Sequence, residues 1–150
     1  MKIVLQKVKK ASVSVDNKVV GSIDKGYCLL VGVHKESTEE DAKYLAKKIV
    51  EARLFEDENE KLNLGLKDVN GSILSVSQFT LYADTKKGKR PSFTNAASAE
   101  EANELYNKFN EYLREEGIKV ETGIFQTMME VNIINDGPVT IIYEKLSLGN

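Results

Sequence analysis

The sequence predicts an α/β fold class: a single sheet-dominated domain spanning residues 1–150, with about seven strands and two main helices covering one side. Three observations predict it. Segments rich in β-branched residues recur along the chain, and two amphipathic stretches carry helix caps. No Pro/Ser/Gly tract, long run of like charge or internal repeat divides the chain. A chain of 150 residues that is 41% apolar can bury an ordinary core without disulfides or a structural metal.

Strand-like stretches open the chain within Lys2–Val15 and near Val19–Asp24. In Ala11-Ser12-Val13-Ser14-Val15 the apolar residues alternate with hydroxyls, as a half-buried strand requires. Asp16-Asn17 suits a tight hairpin turn, because both residues tolerate positive φ. Gly26–His34 is nearly continuous in apolar residues and reads as a strand buried on both faces. Thr38 caps a first helix whose stripe is Ala42, Leu45, Ala46, Ile49 and Val50. Asn70-Gly71 turns the chain into the strand-like Ser72–Tyr82. Ser98 and Glu101 form a capping box for a second helix, with Ala102, Leu105, Tyr106, Phe109, Tyr112 and Leu113 as its stripe and Gly117 as its stop. Lys119–Phe125, Met128–Asn135 and Val139–Leu146 complete the strands.

Composition excludes much chemistry. A lone cysteine, Cys28, allows no internal disulfide, and the N-terminal residues lack the apolar core of a signal peptide. With no apolar stretch long enough to span a bilayer, the expectation is a cytoplasmic protein with no membrane partner. The net charge is −2, whereas a dedicated duplex-DNA binder is usually basic; DNA is not the partner expected, but a local patch can suffice for nucleic acid, so composition leaves the partner open. The one histidine, His34, shares a predicted strand with Cys28. Six residues at about 3.3 Å each place them roughly 20 Å apart, too far for a Cys–His dyad. Cys28 reads as a small core residue and His34 as a strand-end surface residue. No His or Cys cluster suggests zinc, Gly88-Lys89 lacks the upstream glycine of a phosphate loop, and the Asp57–Lys61 segment fails the calcium-loop pattern. Neither a metal nor a cofactor is expected.

Two segments fit simple structure poorly. Ser77, Gln78 and Thr80 crowd polar groups into what should be a central strand, where they cost free energy unless hydrogen-bonded. Asn135-Asp136-Gly137-Pro138-Val139-Thr140 places a proline between two apolar strands and, on composition, reads as a tight turn. Together, Ser77-Gln78-Phe79-Thr80-Leu81 and Asn135–Thr140 resemble the two signature motifs of the D-aminoacyl-tRNA deacylase family. The resemblance extends to Gln6-Lys7-Val8, Ala11-Ser12-Val13, Leu30-Val31-Gly32-Val33 and Gly88-Lys89-Arg90-Pro91-Ser92-Phe93, in order along essentially the whole chain.

The resemblance implies a three-layer β/β/α domain working as a homodimer, with active sites at the subunit interface. The implied substrate is aminoacyl-tRNA, held by its acceptor end. Ser77, Gln78, Phe79 and Thr80 would line the catalytic pocket, with the amides around Phe79 and Thr80 as oxyanion donors. Thr80 is the candidate nucleophile, but no base is evident beside it, so of the two aids to attack, the Thr80 side chain and the tRNA's own 2′-hydroxyl, the second is preferred. Gly137-Pro138, cis in this family, would enter the partner subunit's pocket and reject L side chains, leaving glycyl-tRNA partly cleavable. Asn135 and Met129 are further substrate-site candidates. Lys86, Lys87, Lys89 and Arg90 would meet tRNA phosphates, with Lys7, Lys9 and Lys10 as additions to that surface. One departure stands out: the family has Gly-Ala after the phenylalanine matching Phe125, and this chain has Gln126-Thr127. The competing reading is a non-catalytic RNA-binding module of the same fold.

Overall fold

The computed structural model describes residues 1–147. Strand β1 (Lys2–Val15) organises the molecule. Its first half pairs antiparallel with β3 (Gly26–Gly32), and its second half pairs with β2 (Lys18–Ile23). Asp16 and Asn17 close the β1–β2 hairpin at φ 49° and 66°, as their tolerance of positive φ predicts. Beyond β3 the sheet continues in parallel through β6 (Ser72–Ser77) to β7 (Val120–Thr122). On the other edge of β1 lies β8 (Glu130–Glu144).

The sheet curls on itself to make two layers. Helices α1 (Glu39–Glu51) and α2 (Ala99–Glu115) cover one face, where Leu45, Ile49, Phe109 and Leu113 meet Ile3, Leu5, Leu29 and Ile73. On the opposite face Cys28, Leu74 and Val76 pack with Val8, Val13 and Ile23. Strand β2 lies tightly over this second face: a methyl group at Gly21 would stand 2.7 Å from the Thr122 carbonyl oxygen. The result is a β/β/α stack with a core on each side of the central sheet.

Local chemistry sets the helix ends. Thr38 accepts the Asp41 amide and Asp41 accepts the Thr38 amide, a complete capping box. Ser98 accepts the Glu101 amide at 3.3 Å, which is half of the box the sequence predicts there. Gly117, at φ 87°, ends α2. Among the described residues, no helix is long and apolar enough to cross a membrane.

The structure corrects four expectations. Ser72–Tyr82 is not one strand, because β6 stops at Ser77 and a 3-10 turn follows over Phe79–Tyr82. The segments read as Met128–Asn135 and Val139–Leu146 are one continuous strand, β8, whose pairing with β1 shifts register near Lys7 and Lys9. Lys119–Phe125 shortens to Val120–Thr122. A small hairpin of β4 (Phe55–Glu56) and β5 (Leu62–Leu64) went unread. Asp57 holds its turn by accepting the Asn59 and Lys61 amides, and these bonds lower the carboxyl pKa.

Candidate active site

The candidate site grows from the end of β6. The Gln78 amide still donates to the Val31 carbonyl at 2.8 Å, after which the chain folds into the 3-10 turn. Gly32 makes room for that fold, since Leu81 sits where a side chain at position 32 would be. Within the turn, Leu81 donates to the Gln78 carbonyl at 3.4 Å and Ala83 to Thr80 at 3.1 Å. The Phe79 and Thr80 amides precede this pattern and donate to no group among the described residues. The Gln78 side chain donates to Thr80 Oγ1 at 3.0 Å, which fixes the hydroxyl beside the two free amides.

These residues open onto a cavity of about 580 Å³. Its lining comes from Ser77–Thr80, from Val31 and Val33, from Ala97, Ala99 and Ala102, and, at an exposed rim, from Phe125–Met129. Among the described residues, no ionisable side chain lines it. The rim carries both residues of the Gln126-Thr127 departure: Gln126 at φ 60°, and Thr127 donating to the Ile124 carbonyl at 2.8 Å. Met128 is 92% exposed, whereas Met129 turns inward with its sulfur against Gly123.

The second motif stands elsewhere. The Gly137–Pro138 peptide bond is cis, and both residues are exposed on β8 rather than lining the cavity of their own chain. Asn135 builds this bulge. Its Oδ1 accepts the Val139 amide at 2.8 Å, and its Nδ2 donates to Thr140 Oγ1 at 3.0 Å and to the Val139 carbonyl at 3.3 Å. Asn135 thus supports Gly137-Pro138 and does not line the cavity of its own chain.

Lys86, Lys87, Lys89 and Arg90 all lie exposed on an excursion closed by the Asp84–Ser92 bridge, just past the 3-10 turn. Lys9 and Lys10 are exposed as well, but Lys7 is only 4% exposed, with its ammonium 5.3 Å from the Phe55 ring centre. Lys7 therefore does not join the basic surface. Strand parity carried the signal, because Lys7 shares a face with the buried Ile3 and Leu5. Sequence reading also missed Phe93, whose ring packs 4.9 Å from that of Phe79.

Cys28 and His34 stay outside the site. Burial pushes the Cys28 thiol up to about 12. His34 is half-buried at a bridge to Ala96, with Nδ1 accepting the Glu36 amide at 3.0 Å, and desolvation lowers its pKa. Among the described residues no cluster of three or more His, Cys, Asp or Glu could hold a metal ion.

A family model described as D-Tyr-tRNA(Tyr) deacylase matches residues 4–144, which contain both motifs. The chain belongs to that family. D-aminoacyl-tRNA deacylase from Exiguobacterium sp. is 58% identical over 97% of this chain and 99% of its own length. The Staphylococcus haemolyticus enzyme of the same name is 60% identical over 96% and 95%. A solved structure described as c-Myc DNA Unwinding Element Binding Protein is 39% identical with a TM-score of 0.91, covering 98% of this chain and all of the other. A probable eukaryotic D-amino acid tRNA deacylase superposes with a TM-score of 0.82 at 17% identity, covering 95% and 97%, and shares the fold. The present deacylase is thus an ester hydrolase by family.

Proposed function

We propose that this deacylase hydrolyses the ester joining a D-amino acid to the 3′ end of tRNA, as a cytoplasmic homodimer that proofreads chirality. The observation that carries the reading is the pair of unpartnered Phe79 and Thr80 amides at a cavity without ionisable groups among the described residues. Ester hydrolysis places negative charge on the carbonyl oxygen as water adds to the carbon. Two fixed amides aimed at that oxygen stabilise it, each contributing about 3–4 kcal/mol in comparable enzymes. The C–O bond then breaks, the tRNA 3′-oxygen takes up a proton, and the free amino acid leaves. In this reading the neighbouring 2′-hydroxyl of the tRNA orients the water, since no protein base among the described residues lines the cavity.

Chiral selection would come from the partner subunit's Gly137 and Pro138. Their exposure on β8, away from their own cavity, supports donation to a second copy. The strand itself supports it too. None of its 15 residues is buried, and Ile142 and Ile134 are 65% and 55% exposed. Backbone carbonyls presented to the substrate's α-carbon would oppose an L side chain and leave a D side chain free. Glycine offers nothing to oppose, so glycyl-tRNA should be cleaved in part. The exposed Lys86, Lys87, Lys89 and Arg90 would take tRNA phosphates.

The test is hydrolysis of matched D-tyrosyl-, L-tyrosyl- and glycyl-tRNA by protein of measured oligomeric state, with a chelator and a single-stranded DNA competitor. The expected result is fast loss of the D ester, slower loss of the glycyl ester and retention of the L ester. Binding of tRNA with no loss of any ester would leave the non-catalytic module standing instead.

A further inference from the structure

The 3-10 turn that bears the free amides is gripped from outside the cavity. Lys2 and Glu144 face each other across the β1–β8 ladder, and both reach over to the turn. Glu144 Oε2 accepts the Tyr82 hydroxyl at 2.9 Å, and Lys2 Nζ donates to the Leu81 carbonyl at 3.4 Å. The Lys2 ammonium also stands 4.9 Å over the Tyr82 ring, and the His34 ring meets that ring edge-on at 5.0 Å. Tyr82 is only 7% exposed, yet its carboxylate partner belongs to an exposed strand end. Burial, followed by the bond to Glu144, raises the phenol pKa, so the hydroxyl remains a donor throughout any practical assay range.

We infer that Tyr82 and Glu144 are positioning residues for the reaction: their hydrogen bond sets the 3-10 turn, and hence the Phe79 and Thr80 amides, relative to the strand that carries Gly137-Pro138. Neither residue touches the cavity. Tyr82 closes the same single turn that Phe79 opens, so a shift at its hydroxyl is carried to the amides with little flexible chain between. On the strand side, Glu144 lies on β8 downstream of Gly137 and Pro138. The bond therefore joins the rate-giving element to the selectivity element of the same chain. The inference rests on the proposed deacylase reading, because it assigns the tie a role in positioning the oxyanion donors.

Tyr82→Phe deletes the bond and keeps the ring. On D-tyrosyl-tRNA, kcat should fall about tenfold with KM unchanged, since loosening a donor by a fraction of an ångström acts on the transition state. Glu144→Ala should match it, the double variant should be no worse than either single one, and Glu144→Gln, which keeps an acceptor, should recover most of the rate. A purely structural role would lower the melting temperature and leave this pattern of kcat unmoved. Wild-type kcat in Tyr82→Phe, or additive losses in the double variant, would overturn the inference while leaving the deacylase reading intact. Should the wild-type protein itself cleave no ester, hydrogen exchange at the Leu81 and Ala83 amides, which donate within the turn, decides the tie separately. Faster exchange in Tyr82→Phe supports it, and unchanged exchange removes it.

Discussion

Gly32→Ala offers a severe test of the proposed site, because it adds one methyl group at a residue that does not line the cavity. Gly32 closes β3, and a methyl there would stand 2.8 Å from Leu81 Cβ and 3.3 Å from Leu81 Cδ1. Carbon atoms pack comfortably at about 3.5–4.0 Å, so the turn must retreat by roughly 1 Å. Strand β3 has little freedom to move instead, since it is hydrogen-bonded to β1 on one side and to β6 on the other. Overpacking of this kind costs about 1–3 kcal/mol of stability, or about 3–10 °C in melting temperature for a chain of this size. The effect on rate should be larger in kind. A displacement of about 1 Å in a catalytic group can cost about a hundredfold, here with the fold retained. Gly65→Ala is the matched control, because its methyl would find the nearest atom, the Ala52 carbonyl oxygen, at 3.4 Å. The assay pairs single-turnover hydrolysis of D-tyrosyl-tRNA with thermal melts of both variants. A folded Gly32→Ala protein with wild-type turnover would refute the claim that the Phe79–Tyr82 turn holds the oxyanion donors.

Three other outcomes follow from the geometry. Replacing Lys86, Lys87, Lys89 and Arg90 by alanine should raise KM for D-tyrosyl-tRNA and flatten the plot of log KM against log salt, by up to about 0.7 in slope for each phosphate left without its cation; an unchanged slope would remove the loop from the tRNA path. The rate profile from pH 5 to 9 should lack the bell shape of a protein acid–base pair, because no ionisable side chain among the described residues lines the cavity; a limb near neutrality that disappears in a single side-chain variant would contradict this. The Met1 ammonium donates to the Lys145 carbonyl at 2.8 Å, and burial lowers its pKa from 8.0 to about 6. Between those values the unfolded chain binds the proton more readily than the folded one, so stability should rise with pH from 6 to 8. After discount for partial exposure the gain is about 1 kcal/mol, and Nα-acetylated protein melted over the same range should lose that slope.

The elements that were legible in the sequence are those decided within a few residues. Thr38 with Asp41 fixes the start of α1, Gly117 ends α2, and Asp16-Asn17 turns the first hairpin, each through a local hydrogen bond or a local φ. What failed to read depends on partners far along the chain. Ser77, Gln78 and Thr80 looked misplaced because the strand was drawn through them, whereas β6 ends once β3 runs out beside it. Asn135–Thr140 looked like a turn because proline cannot donate to a ladder. The chain continues as an edge strand there, with the Asn135 side chain taking the Val139 amide. The site motifs were visible only as a resemblance. The cavity the first of them opens onto is completed by Val31 and Val33, by Ala97 with the start of α2, and by Phe125–Met129, a juxtaposition that no local pattern encodes. Tyr82 and Glu144 meet across 62 residues of sequence and left no trace in it.

On the proposed reading, rate and selectivity sit on different elements for a physical reason. Two amide donors at about 3–4 kcal/mol each correspond to roughly 10⁴–10⁶ in rate, using 1.36 kcal/mol per tenfold. Amides of a turn bind a developing oxyanion whatever the side chain on the neighbouring α-carbon, so they accept every amino acid and discriminate none. A side-chain pocket could discriminate, but only by fitting particular residues, and a proofreader of handedness must accept many. Backbone carbonyls set against the α-carbon answer both demands, since they oppose one configuration without regard to side-chain identity. Such a group has to approach the substrate from the side opposite the oxyanion donors. The chain's own Gly137-Pro138 segment does not line its own cavity, so on this reading that approach falls to a second copy. Chirality selection then requires assembly, and a monomeric variant should lose discrimination together with the Gly137-Pro138 wall while its Phe79–Tyr82 turn remains in place.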